Sequence, residues 1–157
     1  MNNLIEKIVS VMPKPLQELY HKYEDIILYV FYGGLTTVIS FASQFLATAI
    51  LGGGEVQDAI STAFSWICSV TFAFFTNKKY VFKSVTNTKK AFWTELFEFY
   101  GARAFSLLLE VIIIEVFHTK LKFKLLFVKL GAQIVILVTN YALSKFIIFK
   151  DKSKKAH

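Results

Sequence analysis

Cysteine and proline are nearly absent: Cys68, Pro13 and Pro15 are the only such residues in 157. A single thiol excludes an intrachain disulfide and any multi-cysteine metal site. Cys68 lies in an apolar run and reads as a buried, inert thiol. His21, His118 and His157 are scattered without metal-ligand spacing, and no Ser/His/Asp set suggests nucleophilic catalysis. Gly52-Gly53-Gly54 lacks the Lys-Ser/Thr that completes a phosphate-binding loop, so it reads as a turn. The first 25 residues carry charges of both signs and no apolar core segment, unlike a signal peptide. Charged residues are 18% of the chain, where soluble domains have roughly 25%. Acids are the scarcer sign, 11 against 18 Lys and Arg, for a net charge of +7. What is abundant is apolar: 55% hydrophobic residues, 17 of them Phe, and a mean hydropathy of +0.50. A soluble globule could not hide that much apolar surface. The composition is that of a small polytopic membrane protein.

Runs of about 20 apolar residues mark the spans. They fall at about 26–51, 56–76, 96–117 and 125–149. The first is free of charge, and the second carries only Asp58 at its mouth. The third contains Glu98, Arg103, Glu110 and Glu115; the fourth contains Lys129 and Lys145. Each central charge costs about 2.5–3.5 kcal/mol on insertion scales. The expected fold is therefore an all-α membrane protein of four transmembrane helices, residues 26–150. Lysines set its orientation. Lys7, Lys14 and Lys22 precede the first span; Lys78, Lys79, Lys83, Lys89 and Lys90 follow the second; Lys150, Lys152, Lys154 and Lys155 follow the fourth. This excess places both termini in the cytoplasm. Lys120, Lys122 and Lys124 run against the rule in an outer loop, where they alternate with Leu121 and Phe123 as a basic interfacial lip. Residues 1–25 repeat apolar side chains at helical spacing (Leu4, Ile5, Ile8, Val9, Met12, then Leu16, Leu19, Tyr20, Tyr23) around Pro13 and Pro15. This segment is a kinked amphipathic helix on the inner leaflet or a cytosolic helix against the bundle. Residues 151–157 form a basic cytoplasmic tail.

The chain also repeats itself. Phe31-Tyr32-Gly33-Gly34 matches Phe99-Tyr100-Gly101-Ala102 at an offset of 68, and Lys78-Lys79-Tyr80-Val81-Phe82-Lys83 resembles Lys145-Phe146-Ile147-Ile148-Phe149-Lys150 at 67. Two tandem two-helix repeats, parallel across an axis along the membrane normal, are the expected build. The first half is an apolar frame; the second holds the intramembrane charge. Arg103 and Glu110, seven residues apart, share a helix face, and Lys129, Gln133 and Asn140 form a stripe on the next span. Asn77 closes the second span. Several roles stay open: a structural Arg103–Glu110 pair, a Lys129 that snorkels outward, Gln133 and Asn140 as interhelical hydrogen-bond glue, Asn77 as a helix cap. Intramembrane charge is otherwise a mark of function. Arg offers a planar fork for phosphate and Lys a point charge, so the chemistry suits the phosphate of a lipid. The basic rim fits anionic lipid and membrane topology rather than nucleic acid.

At these residues the sequence resembles the GtrA family of small four-span membrane proteins. The carriers are Phe31-Tyr32-Gly33-Gly34, the run from Phe72 to Phe82 with its Asn77-Lys78-x-x-Val81-Phe82 element, Phe99-Tyr100-Gly101-Ala102-Arg103, and the stretch from Asn140 to Phe149. The similarity is greatest to Gram-positive members linked to teichoic acid glycosylation. The resemblance implies a flippase that moves an undecaprenyl-phosphate-linked monosaccharide from inner to outer leaflet of the bacterial cytoplasmic membrane. Membrane glycosyltransferases would load the lipid upstream and use it downstream to decorate a cell-wall polymer. It points to Ala73, Asn77, Val81, Phe82, Phe99, Arg103, Lys129 and Asn140. On this reading Arg103 and Lys129 bind the phosphate, Asn77 and Asn140 bind phosphate or sugar hydroxyls, Phe82 and Phe99 line the sugar or polyprenyl path, and Glu110 holds Arg103. A homo-oligomer is expected, because one small bundle offers few walls for a polyprenyl chain; no cofactor and no enzymatic activity are expected. The rivals are a non-transporting assembly partner of a membrane glycosyltransferase and a recycler of undecaprenyl phosphate.

Overall fold

The computed structural model describes residues 10–11 and 13–150. The first half of the expected amphipathic segment and the tail 151–157 lie outside the described residues. Four long helices account for nearly all the rest: α1 Lys14–Leu51, α2 Glu55–Thr76, α3 Lys89–Ile114 and α4 Leu125–Leu143. Helix α1 starts after Pro13 with Pro15 in its first turn, where a missing N–H is harmless. Its 38 residues extend about 57 Å, nearly twice the hydrocarbon thickness. Tyr23, at φ −117°, ψ 18°, leaves helical geometry and separates the amphipathic first turns from the apolar remainder. Gly52 ends α1 at φ +79°, a conformation only glycine adopts without strain, and its N–H bonds Thr48 C=O at 3.0 Å. Glu55 and Asp58 occupy the first turn of α2, where the helix dipole favours acids. Thr88 caps α3, accepting from the Ala91 N–H at 3.2 Å.

Three helices are long and apolar enough to cross a membrane: α1, α2 with its extension to Val81, and α4 with its extension to Ile148. Helix α3 has the length, 26 residues, but Glu98, Arg103 and Glu110 hold it out of that class. It also begins at Lys89, about two turns before the span expected from hydropathy.

Helices α1 and α2 form one antiparallel hairpin and α3 and α4 another. The first is cemented by small side chains. Ala47, Ser61, Ser65 and Ser69 are buried, and Ser65 Oγ donates to the Ser40 C=O at 2.7 Å. Small residues let helix backbones approach closely in lipid. The second hairpin is cemented by polar side chains instead.

Both α2 and α4 end in π-helical turns, Asn77–Val81 and Ser144–Ile148. Phe82 N–H bonds Asn77 C=O at 2.8 Å, and Phe149 N–H bonds Ser144 C=O at 2.9 Å. The two turns are 67 residues apart, the offset of the sequence repeat. They bring Phe82 and Phe149 face to face, ring centroids 5.3 Å apart and 20° from parallel. The flanking contacts are reciprocal under the same offset: Phe74–Phe149 and Tyr141–Phe82 both have centroids at 5.9 Å. Phe99 joins one side of this cluster and Tyr29 the other. The hairpins are joined here, at what is called below the aromatic end. A third π-helical turn, Glu115–Lys120, closes α3 at the opposite end.

Candidate functional site

Arg103 projects from α3 next to the aromatic cluster. Its guanidinium carbon lies 5.0 Å from the Phe99 ring centroid, a cation–π distance. The Tyr29 side chain lies close enough to feel its charge. Tyr29, buried on α1, packs edge-on to Tyr141 with centroids 5.3 Å apart. Elements from both hairpins therefore hold the arginine. Tyr29 was invisible as a partner because the first half of the chain reads as an apolar frame.

The expected hold of Glu110 on Arg103 is not what the structure builds. Glu110 Oε1 accepts from Gln133 Nε2 of α4 at 3.1 Å. One turn closer to the aromatic end, Ser106 Oγ donates to Asn140 Oδ1 at 2.5 Å, with both residues buried. Asn140 is thus engaged within its hairpin, as the glue reading required. Ser106, three residues after Arg103 and four before Glu110, completes the face that those two define. Its spacing alone could have revealed it.

Lys129 lies four residues before Gln133, exposed near the start of α4. Hydrogen bonds fix the register of the hairpin, so Arg103 and Lys129 stand about 16–21 Å apart along the axis, at 1.5 Å per residue. The structure does not bring the two cations to one point. It spaces them along one ladder: Arg103, Ser106–Asn140, Glu110–Gln133, Lys129.

Across the cluster, Asn77 opens the first π-helical turn. It is 3% exposed, and its Oδ1 is buried with no hydrogen-bond partner. Asn77 is also the cap residue at the end of α2, its N–H on the Ala73 and Phe74 carbonyls, and that role does not use Oδ1. Val81, one turn on, is buried against Leu28, Tyr29 and Tyr32. Phe82 packs on Phe149, Tyr141 and Tyr29, and Ala73 is buried beside Phe74 and Phe99. Ala73, Val81, Phe82 and Phe99 therefore meet in the wall between the hairpins.

The lysines at this end are tied down in turn. Lys78 Nζ pairs with Glu95 Oε2 at 2.5 Å, and Ser84 Oγ donates to the other carboxylate oxygen at 3.1 Å. The Lys78 and Glu95 side chains are 13% and 4% exposed, so this pair fixes the π turn to the start of α3 away from water. Lys83, at φ +49°, reaches Glu24 at 3.0 Å, and Lys145 reaches Asp25 at 2.9 Å. The hydrogen bond that Lys83 donates to Glu24 raises the pKa of its ammonium above the ordinary lysine value. Glu95 was not among the expected site residues; it lies in the turns of α3 that hydropathy left out of the span.

No group of three or more His, Cys, Asp or Glu arranged to hold a metal occurs among the described residues. The arrangement is that of a polar ladder with an arginine at one end.

Comparison with known proteins agrees with this architecture. The family described as GtrA/DPMS, transmembrane domain, matches residues 28–149. The cell wall teichoic acid glycosylation protein GtcA of Listeria monocytogenes serovar 1/2a is 34% identical over 150 residues, covering 96% of this chain and 99% of that protein. GtcA of Listeria innocua serovar 6a is 34% identical over 126 residues, 80% of this chain and 85% of that protein. YwcD, an uncharacterized membrane protein of Bacillus subtilis, is 31% identical over 132 residues, 82% of this chain and 98% of its own length. No solved structure gives a significant match. With its three apolar helices and this match across nearly all the helical region, the chain is a multi-pass protein of the bacterial cell membrane and belongs to the GtrA/DPMS transmembrane-domain family.

Proposed function

We propose that this protein is a flippase that carries an undecaprenyl-phosphate-linked monosaccharide from the inner to the outer leaflet, for glycosylation of a cell-wall polymer such as teichoic acid. The observation that carries this reading is the ladder on α3 and α4. Polar groups are expensive in hydrocarbon and are kept there for ligand paths. This ladder runs about 16–21 Å, half to two-thirds of the thickness of the hydrocarbon core. A phosphate would bind first at Arg103, whose fork suits two phosphate oxygens. It would leave at Lys129, with the sugar hydroxyls exchanging bonds along Ser106, Asn140, Glu110 and Gln133. Asn77 offers the buried, unpartnered oxygen that a hydroxyl of the headgroup would satisfy. Phe82 and Phe99 form the wall the sugar passes.

The topology that goes with this reading is four spans in two tandem hairpins, the aromatic end and both termini cytoplasmic. Helix α3 is the fourth span, its charge sheltered against α4. The reciprocal Phe74–Phe149 and Tyr141–Phe82 contacts support descent of the hairpins from one duplicated unit. Loading and using the lipid would fall to separate membrane glycosyltransferases, and a homo-oligomer would supply further walls for the polyprenyl chain.

The names of the Listeria relatives direct the cellular test toward teichoic acid. Arg103→Ala should abolish sugar decoration of the wall polymer while the protein still inserts and accumulates. Full decoration in a membrane-inserted Arg103→Ala protein would overturn the proposal. Loss of the protein itself would favour a role of Arg103 in assembly.

A further inference from the structure

The three lysines that contradict the charge rule, Lys120, Lys122 and Lys124, lie beside an apolar groove. The groove runs between α3 and α4 at the end opposite the aromatic cluster and has a volume of about 650 Å³. Leu109 and Ile113 form its α3 side, Phe127, Val128 and Val135 its α4 side, and Phe117 and Phe123 its end wall. Lys124 immediately precedes α4, directly after Phe123 of the end wall and three residues before Phe127 of the α4 side.

The loop carrying these lysines is built, not slack. Phe123 N–H bonds Phe117 C=O at 3.0 Å, His118 Nδ1 meets Phe123 C=O at 2.8 Å, and the two Phe rings touch. Lys122 is held at φ +61°, a conformation few non-glycine residues adopt. All three lysines are exposed. An apolar trough crowned by cations has the complementarity of an anionic amphiphile.

The groove is not the ladder. At 100° per residue, Val128, Ala132 and Val135 centre about 110° round α4 from Lys129, Gln133 and Asn140. An occupant of the groove would leave the ladder free.

We infer that the groove binds a resident anionic phospholipid of the leaflet at this end, one acyl chain in the trough and the phosphate on Lys120, Lys122 and Lys124. The site gives the basic lip a purpose that orientation alone does not. It is independent of whether the ladder transports.

Native mass spectrometry of the purified protein tests it, with phosphatidylglycerol and zwitterionic phosphatidylethanolamine as probes. The wild type should hold phosphatidylglycerol with about tenfold preference. Replacing all three lysines by Gln should remove the preference and leave a folded protein, since their side chains are exposed. Gly131→Leu should weaken both lipids, because the added side chain enters the groove. The space beyond the Gly131 α-carbon is open, so the fold should tolerate it. Circular dichroism checks both variants. Equal retention of the two lipids by the wild type would overturn the inference. So would a preference unchanged in the folded triple-Gln variant, lipid retention unchanged in folded Gly131→Leu, or displacement of phosphatidylglycerol by equimolar undecaprenyl phosphate.

Discussion

At the scale of single residues, Asn77 is the most informative. A buried polar atom without a partner costs about 1–3 kcal/mol. Leu has nearly the same size and no such atom. Asn77→Leu should therefore raise the melting temperature of the detergent-solubilised protein while reducing decoration at least tenfold. A variant that is both less stable and inactive would make Asn77 a structural residue. Tyr29 tests the same site from the other hairpin. Tyr29→Phe keeps the ring packing on Tyr141 and removes the hydroxyl that lies near the Arg103 charge. Decoration should fall several-fold with the fold intact; unchanged decoration would show that the Phe99 ring alone suffices to place the guanidinium. Arg103, Asn77 and Asn140 were legible in the sequence because a polar residue at bilayer depth stands out against hydrocarbon. Tyr29 was not, because tyrosine is ordinary in an apolar span and its role depends on which helix faces it. The partner of Glu110 was misread for the same reason: spacing along α3 placed it on the face of Arg103, but only the register of α4 brings Gln133 to it.

At the scale of elements, the turns after α2 and α4 matter most. Hydrophobic periodicity counts 3.6 residues per turn, so it carries no sign of a π-helical turn. The repeat of Lys78 to Lys83 in Lys145 to Lys150 marked both places without revealing their geometry. The first of these turns is locked to α3 by Lys78 and Glu95. Removing one partner of a buried ion pair strands the other and typically costs about 3–5 kcal/mol, whereas apolar replacement of both is close to neutral. Glu95→Ala should thus be strongly destabilising, and Lys78→Met with Glu95→Met together much less so, in thermal unfolding of the purified protein. Additive losses in the double variant would mean the pair contributes nothing beyond its parts. The Lys83–Glu24 tie should behave differently. The raised Lys83 value favours the ammonium, so its contribution is complete below the ordinary lysine value of 10.5 and is lost only as pH rises through the raised one. Exposed to water, such a pair is worth at most about 1 kcal/mol.

At the scale of the whole molecule, composition and apolar runs pointed to an all-helical membrane protein, and the described residues have that character. Hydropathy penalised spans three and four alike for their charges; α4 is nonetheless apolar enough to span, and α3 is the helix whose charge sets it apart. What composition could not supply is the separation of Arg103 from Lys129. Side chains on two helices were expected to converge because each lies on a polar stripe. The antiparallel register decides where along those stripes they stand, and that register follows from Ser106–Asn140 and Glu110–Gln133 contacts that no pattern within either helix encodes. The outcome changes the account from one phosphate site to two stations joined by a ladder. Purified protein in liposomes, with undecaprenyl-phosphate-sugar loaded in one leaflet, tests this most directly. The readout is arrival of the sugar at the other face for wild type, Arg103→Ala and Lys129→Ala, each checked for folding. Transport by the wild type, with both variants slowed at least tenfold, is the expected result. Folded protein of all three kinds that moves no lipid above the protein-free rate would contradict transport and leave the chain as a partner of a glycosyltransferase.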